Sequence, residues 1–246
     1  MKTSLAEVIE PVVIEQGYLI TRSDLKRHPY VIRSLDIRDL TAVMLLQRNV
    51  LVNMSNREYC VPILAEEIAL MLEGDGDSVG LFIQDQLYAA CFLLFKVPNE
   101  NNMARELNFK DEELSLVSQL ELSLVDFEMQ GHKLQQKLAG ILVQRAERRK
   151  NSKYIFTTVS PYNYPSIQTV TALGLQIAKL SKLYYDWDRY TVYKDLSQPI
   201  RLDIANPINV SNTAFVDQIQ LLSNGYRGFS QFKDKDGIKI MFARVL

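Results

Sequence analysis

Gln130-Gly131-His132-Lys133-Leu134-Gln135-Gln136-Lys137-Leu138-Ala139 closes a run of alternating apolar residues and opens an amphipathic helix. Upstream, Leu120, Leu122 and Leu124 alternate with Glu121, Ser123 and Val125, a period near two that suits a strand. Downstream, Leu134, Leu138, Ile141, Leu142 and Ala146 recur at helical spacing, with Lys137, Gln144, Arg145, Arg148 and Arg149 elsewhere on the wheel. The stretch therefore predicts a strand-to-helix junction. The first turn of such a helix leaves backbone N–H groups unpaired and carries the positive end of the helix dipole, so it is competent to bind an anion, above all a phosphate. On its own the segment is more simply satisfied if Gly131 does no more than end a strand and start a helix.

Outward from this junction the pattern is that of a mixed sheet. Residues 30–35 predict a strand, followed by Asp36 as N-cap and a helix to about Met54. Leu64, Ile68, Met71 and Leu72 mark a second helix that Gly74 ends. Residues 79–84 and 87–97 predict two strands joined at Asp85-Gln86, a hairpin by spacing that lacks the favoured turn glycine. Residues 98–117 are polar and acidic and predict a long loop holding one helical turn, a length often associated with function. Beyond the junction come a strand over 153–159, a helix capped by Asn163 with Pro165 in its first turn and Gly174 at its end, and strands over 176–183 and 190–194. A strand over 200–204, a helix over 212–222 and a closing hairpin, 226–232 with 238–245, complete the chain. At the other end, Pro11 interrupts any helix begun at Ser4, and 16–20 reads as a short strand or loop. The summed order predicts an α/β (α+β) fold. Residues 1–29 are read as an N-terminal extension, 30–196 as the central domain and 197–246 as a C-terminal helix and strand extension.

Composition narrows the class. The chain has 246 residues, a formal net charge of −1 and 47% hydrophobic residues, as expected of a soluble globular protein with a sizeable core. The charge balance argues against a nucleic-acid surface. The basic group Arg145, Arg148, Arg149 and Lys150 ends a helix, where cations complement the dipole. Two cysteines, Cys60 and Cys91, sit in apolar surroundings and read as buried free thiols, although a single disulfide between them stays open. No metal-ligand constellation is expected. The start of the chain lacks the pattern of a signal peptide, and no window is apolar for long enough to span a membrane, so a cytoplasmic location is expected.

The residues also carry a resemblance. Gln130-Gly131-His132-Lys133-Leu134-Gln135 resembles the acyl-CoA-binding motif of the GNAT superfamily of N-acetyltransferases, Gln/Arg-x-x-Gly-x-Gly/Ala, with Lys133 and Gln135 where the motif glycines would stand. The pair Leu134-Gln135 looks like a branch whose loop ends in Gly-Leu-Gln. Asn163 with Ala172-Leu173-Gly174-Leu175 is similar to the superfamily's Asn-x-x-Ala helix and its terminal Gly-Phe pair, and Asp188-Arg189-Tyr190 with Tyr193-Lys194 resembles a last strand of that branch. The resemblance covers about 30–196. It implies a mostly antiparallel sheet flanked by helices, with a V-shaped gap between the fourth and fifth strands, 119–129 and 153–159.

It also implies a function: acetyl-CoA-dependent transfer of an acetyl group to a primary amine of a small molecule or peptide. The pyrophosphate of acetyl-CoA would rest on backbone N–H groups of Gly131, His132, Lys133, Leu134, Gln135 and Gln136, a cradle that tolerates the missing glycines if Lys133 and Gln135 have helical φ. Gln130 fills the first motif position. Lys133 and His132 would add positive charge, unless His132 is a solvated loop residue. Val125 and Phe127 would offer main-chain groups to the pantetheine arm, or be plain strand residues. Asn163 would hydrogen-bond the cofactor or act only as an N-cap. Glu121 is the candidate base, its pKa raised by burial, against the alternative of an exposed strand carboxylate. The tyrosine that many members carry seven residues after the capping Asn is Val170 here, so the acid is sought among Tyr162, Tyr184 and Tyr185, with Tyr184 chosen. The alternative reading is a GNAT-like domain that binds acyl-CoA or a protein partner without turnover. Residues 197–246 would extend the sheet, shape the acceptor pocket or form a homodimer contact.

Overall fold

The computed structural model describes residues 12–246, so the segment 4–11 with its Pro11 break lies outside the described residues. All strands belong to one 11-stranded sheet in the order β1-β2-β3-β4-β5-β6-β8-β7-β10-β11-β9. The strands are β1 (Val13–Ile20), β2 (Arg27–Ser34), β3 (Gly76–Ile83), β4 (Gln86–Leu94), β5 (Val117–Val125), β6 (Tyr154–Val159), β7 (Gln176–Leu183), β8 (Trp187–Asp195), β9 (Leu202–Ser211), β10 (Tyr226–Asp234) and β11 (Gly237–Val245). Every pairing is antiparallel except β5 with β6. The helices are α1 (Leu40–Val52), α2 (Ala65–Leu70), α3 (Asp111–Leu114), α4 (Leu134–Glu147), α5 (Tyr164–Ala172) and α6 (Phe215–Ser223).

Two apolar layers clamp the sheet. On one face α4 buries Leu134, Leu138, Leu142 and Ala146 against β3, β4 and β5, together with Ile167 and Val170 of α5. On the other, α1 and α2 place Val43, Leu46 and Ile68 over Phe82, Phe92, Leu122 and Leu124. The strand alternation around Leu120–Val125 therefore feeds both layers, Leu120 into the first and Leu122 and Leu124 into the second. A bulge explains why neighbours of equal parity change face: Phe92 pairs with Leu122 but Leu93 pairs with Leu120, leaving Glu121 as the extra residue.

The predicted hairpin between β3 and β4 forms without glycine because Gln84 and Asp85 both adopt left-handed φ, 48° and 63°, as a tight hairpin turn requires. Gly174 ends α5 at φ 81° as expected, with Leu175 N–H reaching back to Val170 O at 3.0 Å. Three expectations change. Of the strand and loop readings of 16–20 the strand holds, as part of β1 paired with β2, and what changes is the strand count, by one. The acidic segment 98–117 is not a loose loop but a series of short turns pinned to the sheet: Met103 N–H donates to Gln119 Oε1 at 2.6 Å, and buried Asn102 donates to Leu114 O at 3.1 Å. The central strand stops at Val125 rather than Met129, because the Asp126 carboxylate accepts the Glu128 N–H at 3.0 Å and starts a 3₁₀ turn, Phe127–Met129. Among the described residues no helix is long and apolar enough to cross a membrane.

Candidate active site

The site begins where two parallel strands part. β5 and β6 pair only through Val117, Ser118 and Gln119 with Tyr154, Ile155 and Phe156. Beyond this, β5 stays with β4 as far as Val125 and β6 stays with β8 as far as Val159, so a wedge opens between them. Thr157 closes its apex by donating from Oγ1 to Leu120 O at 2.8 Å. The wedge is part of a cavity of 1480 Å³ that also reaches the first turn of α4 and the turns after α1.

At the mouth of the wedge the chain passes through Gly131 (φ 95°) and Lys133 (φ 55°) into α4. Lys133 thus stands in the left-handed region, where glycine is the usual occupant, and its φ is not helical as the cradle was expected to need; Gln135 is helical. The backbone N–H groups nonetheless stay open. Lys133 makes no side-chain cap, the first helical bond is Lys137 N–H to Lys133 O at 3.0 Å, and the N–H groups of residues 131–136 have no partner among the described residues. Nothing lies within 4 Å of the point where a Cβ would project from Gly131. Leu134 enters the core, so it offers only its N–H. The Lys133 side chain is exposed and forms no ion pair with a described residue, so it leaves the cradle open and adds charge beside it.

Other expected cofactor contacts are placed differently. The Asp126 N–H is bonded to Tyr88 O across β4 at 2.8 Å, so by strand alternation the peptide groups of Val125 turn into the wedge. Phe127 does not offer a strand edge: it lies in the 3₁₀ turn, its carbonyl accepts the Gln130 N–H at 3.3 Å, and its exposed ring is covered by the Arg22 guanidinium at 5.0 Å. His132 turns its Nε2 to Ile20 O at 2.7 Å and so anchors the β1–β2 hairpin, a contact made because that hairpin packs beside the cradle. Gln130 accepts from Arg22 at 3.5 Å. Gln135 donates to Ser166 Oγ at 3.0 Å and Gln136 lines the cavity. Asn163 caps α5 through Ser166 N–H at 3.2 Å and donates to Tyr59 O at 3.3 Å, so its amide is engaged on both sides.

Deeper in, the bulge turns Glu121 into the cavity. Burial pushes its carboxyl up to about 6, the Gln119 amide donating at 2.5 Å opposes this, and the charge of Glu67 adds to the rise. Tyr184, at φ 57° in the β7–β8 turn, places its hydroxyl 3.0 Å from Thr158 Oγ1 on β6 and senses the Glu121 charge. Burial raises its pKa, so the phenol holds its proton at neutral pH. Val170 is a buried residue of α5, in the place where the resemblance looks for a tyrosine. Tyr162 packs against Phe215 and Tyr185 against Trp187. Cys60 and Cys91 are free thiols.

Two cavity residues escape the sequence reading. Arg22 lies in the β1–β2 turn, a segment set aside as an extension, and reaches the cradle only through tertiary packing. Arg189 lines the cavity from β8, and its one sequence signal is a charge next to the apolar positions Tyr190 and Val192.

A mixed sheet split between two parallel strands, with an uncapped helix start at the mouth of the split, is the GNAT acyltransferase fold, and the described chain has it. Solved structures bear this out. Arabidopsis thaliana NAA60 in complex with acetyl-CoA superposes with a TM-score of 0.55 at 12% identity, covering 69% of this chain and 99% of that one. The ribosomal-protein-S18-alanine N-acetyltransferase from Escherichia coli gives 0.51 at 17% identity, covering 69% and 95%. An acetyltransferase of the GNAT family from Streptococcus pneumoniae gives 0.51 at 12%, covering 68% and 99%. No protein-family model and no curated protein matches the sequence.

Proposed function

We propose that the protein is an acetyl-CoA-dependent N-acetyltransferase acting on a primary amine of a small molecule or peptide. The observation that carries this reading is a single cavity holding both an open row of backbone N–H donors and a buried carboxyl poised near neutrality, Glu121. The donors at residues 131–136, with the Lys133 charge beside them, fit a diphosphate, and the wedge-facing peptide of Val125 fits an extended amide-bearing arm. Acetyl-CoA supplies an electrophilic thioester carbon.

The rest is proton management by this chain. Glu121 takes one proton from the acceptor ammonium, which frees the nitrogen lone pair. As the C–N bond forms and the C–S bond breaks, the Tyr184 hydroxyl gives its proton to the departing sulfur and regains one from the nitrogen, while the first proton passes from Glu121 to solvent. A thiol is a tolerable leaving group near neutral pH, so Tyr184 contributes less than Glu121.

Binding without turnover is the second reading, favoured by the left-handed Lys133 and by Val170. Calorimetry with acetyl-CoA and release of free CoA over a panel of amines separate the two. The enzyme reading expects micromolar-range binding and amine-dependent release; binding with no release from any amine supports the second reading, and absence of binding overturns the enzyme reading.

A further inference from the structure

Arg189 is a charge that the proposed transfer does not use. It is 2% exposed, yet it lines the cavity. Its Nε is buried without a hydrogen-bond partner, and the guanidinium forms neither a hydrogen bond nor an ion pair with a described residue. Its company is aromatic: Cζ lies 5.6 Å from the centre of the Tyr184 ring and 5.7 Å from that of Trp187. Glu58, in the turn Arg57–Tyr59, is close enough to be felt but does not pair with it, and the Cys60 thiol stands on the same side. A guanidinium keeps its charge at any physiological pH. Burying one without an anion costs more than two ring faces return.

The position gives this unpaired charge a meaning. Tyr184 senses the charge of Arg189 as well as those of Glu121 and Glu106. Glu106 is itself committed to Lys179 at 2.8 Å and to Ser181 at 3.1 Å. Beside Tyr184 the cavity therefore offers the Glu121 carboxylate, suited to an ammonium, and the unpaired Arg189 guanidinium, suited to an anion. A single guanidinium matches a planar monoanion; a dianion would leave surplus negative charge facing Glu121.

We propose that Arg189 receives a carboxylate of the acyl acceptor, which makes the acceptor a small zwitterion of the amino-acid type with its ammonium at Glu121. The proposal rests on the acetyl-transfer reading for the name of the reaction, but the carboxylate site stands on geometry alone. Arg189 takes no part in the proton balance and sets specificity only.

The test compares two probe mixtures on the full chain with CoA present: free amino acids, and the matching amines that lack the carboxylate. Thermal melting is expected to rise with the amino acids and not with the amines, and the rise is expected to vanish in Arg189→Met. That variant, free of its own unpaired charge, should melt no lower than the wild type. If Arg189→Met does not fold, Arg189→Lys keeps the charge without the fork and should show a weakened response. In CoA release, kcat/KM should favour amino acids over amines by at least about 100-fold in the wild type and fall to near parity in the variant. Equal shifts from the two mixtures, no shift from either, a shift that survives in Arg189→Met, or a shift given by inorganic phosphate alone would each overturn the proposal. Failure of CoA release with every amine, while the melting response to amino acids persists, would remove acetyl transfer and leave the carboxylate site standing.

Discussion

Glu121 shows how one residue can be costly to the fold and suited to the proposed reaction. As the extra residue of a bulge it is pushed into the cavity, and burial lifts its pKa from 4.5 to about 6. A carboxyl raised in the folded state binds its proton more tightly than the unfolded chain does, so its contribution to stability is fully present below about 4.5 and is lost as pH rises through about 6. Glu121→Gln is therefore expected to be more stable near neutral pH, by up to about 2 kcal/mol, with the gain gone in acid, as read from urea titrations at several pH values. The same variant should lose acetyl transfer by about 10²–10⁴-fold with acetyl-CoA affinity unchanged, along with the activity limb that rises near pH 6. Full activity would remove Glu121 from the chemistry. Lys133 presents the opposite balance. Lys133→Gly relieves a left-handed side chain, a gain of roughly 1 kcal/mol, while removing a charge beside the cradle. We expect a higher melting temperature and about fivefold weaker acetyl-CoA binding at low salt, the deficit shrinking as salt is added.

At the scale of elements, the β1–β2 hairpin is the brace of the cradle. Its turn is held by Arg22 N–H to Glu128 O at 3.2 Å, Ser23 N–H to Glu128 Oε2 at 2.6 Å and His132 to Ile20 O at 2.7 Å. Lys137 of α4 adds an ion pair to Glu15 at 2.5 Å, and Tyr30 donates to the same carboxylate. Glu128→Ala cuts the 2.6 Å bond without touching the core. It is expected to cost about 1 kcal/mol, to speed amide exchange both in the hairpin turn and over residues 131–136, and to weaken acetyl-CoA binding. Exchange that speeds up only in the turn would show that the hairpin does not support the cradle. The strand-to-helix junction itself was legible from periodicity, because α4 is amphipathic and β5 alternates. The 3₁₀ turn that takes Phe127 out of the strand was not, since Asp126 acts through a local side-chain bond that apolar spacing does not register.

At the scale of the whole molecule, residues beyond β8 join the same sheet rather than standing apart. β10 meets β7 at a single register pair, Gly228 with Ile177, where an added Cβ would lie 2.9 Å from the Ile177 Cβ. Buried polar bonds complete the seam: Tyr190 donates to Gln218 at 2.7 Å and Asn212 donates to Pro161 O at 2.9 Å, just ahead of the α5 cap. Gly228→Val should overpack this joint, costing about 1–3 kcal/mol and exposing residues 197–201 to limited proteolysis, while acetyl-CoA binding persists. An unchanged cleavage pattern would mean that the polar bonds hold the seam without close strand contact.

What the sequence determined by itself is whatever depends on near neighbours: the alternation of β5, the amphipathic face of α4, the Asn163 cap, the Gly174 stop and the glycine-poor hairpin that spacing alone identified. It also placed Glu121 among apolar neighbours, which is enough to foresee a raised pKa. The tertiary structure decided what depends on residues far apart in the chain. The bulge that aims Glu121 requires β4 as well as β5, the wedge requires two strands to pair and then part, and Arg22 and Tyr184 arrive from segments on either side of the core. Arg189 illustrates the limit most clearly: a lone arginine in a strand reads as a surface charge, and only packing on every side shows that it is buried with its Nε unpartnered.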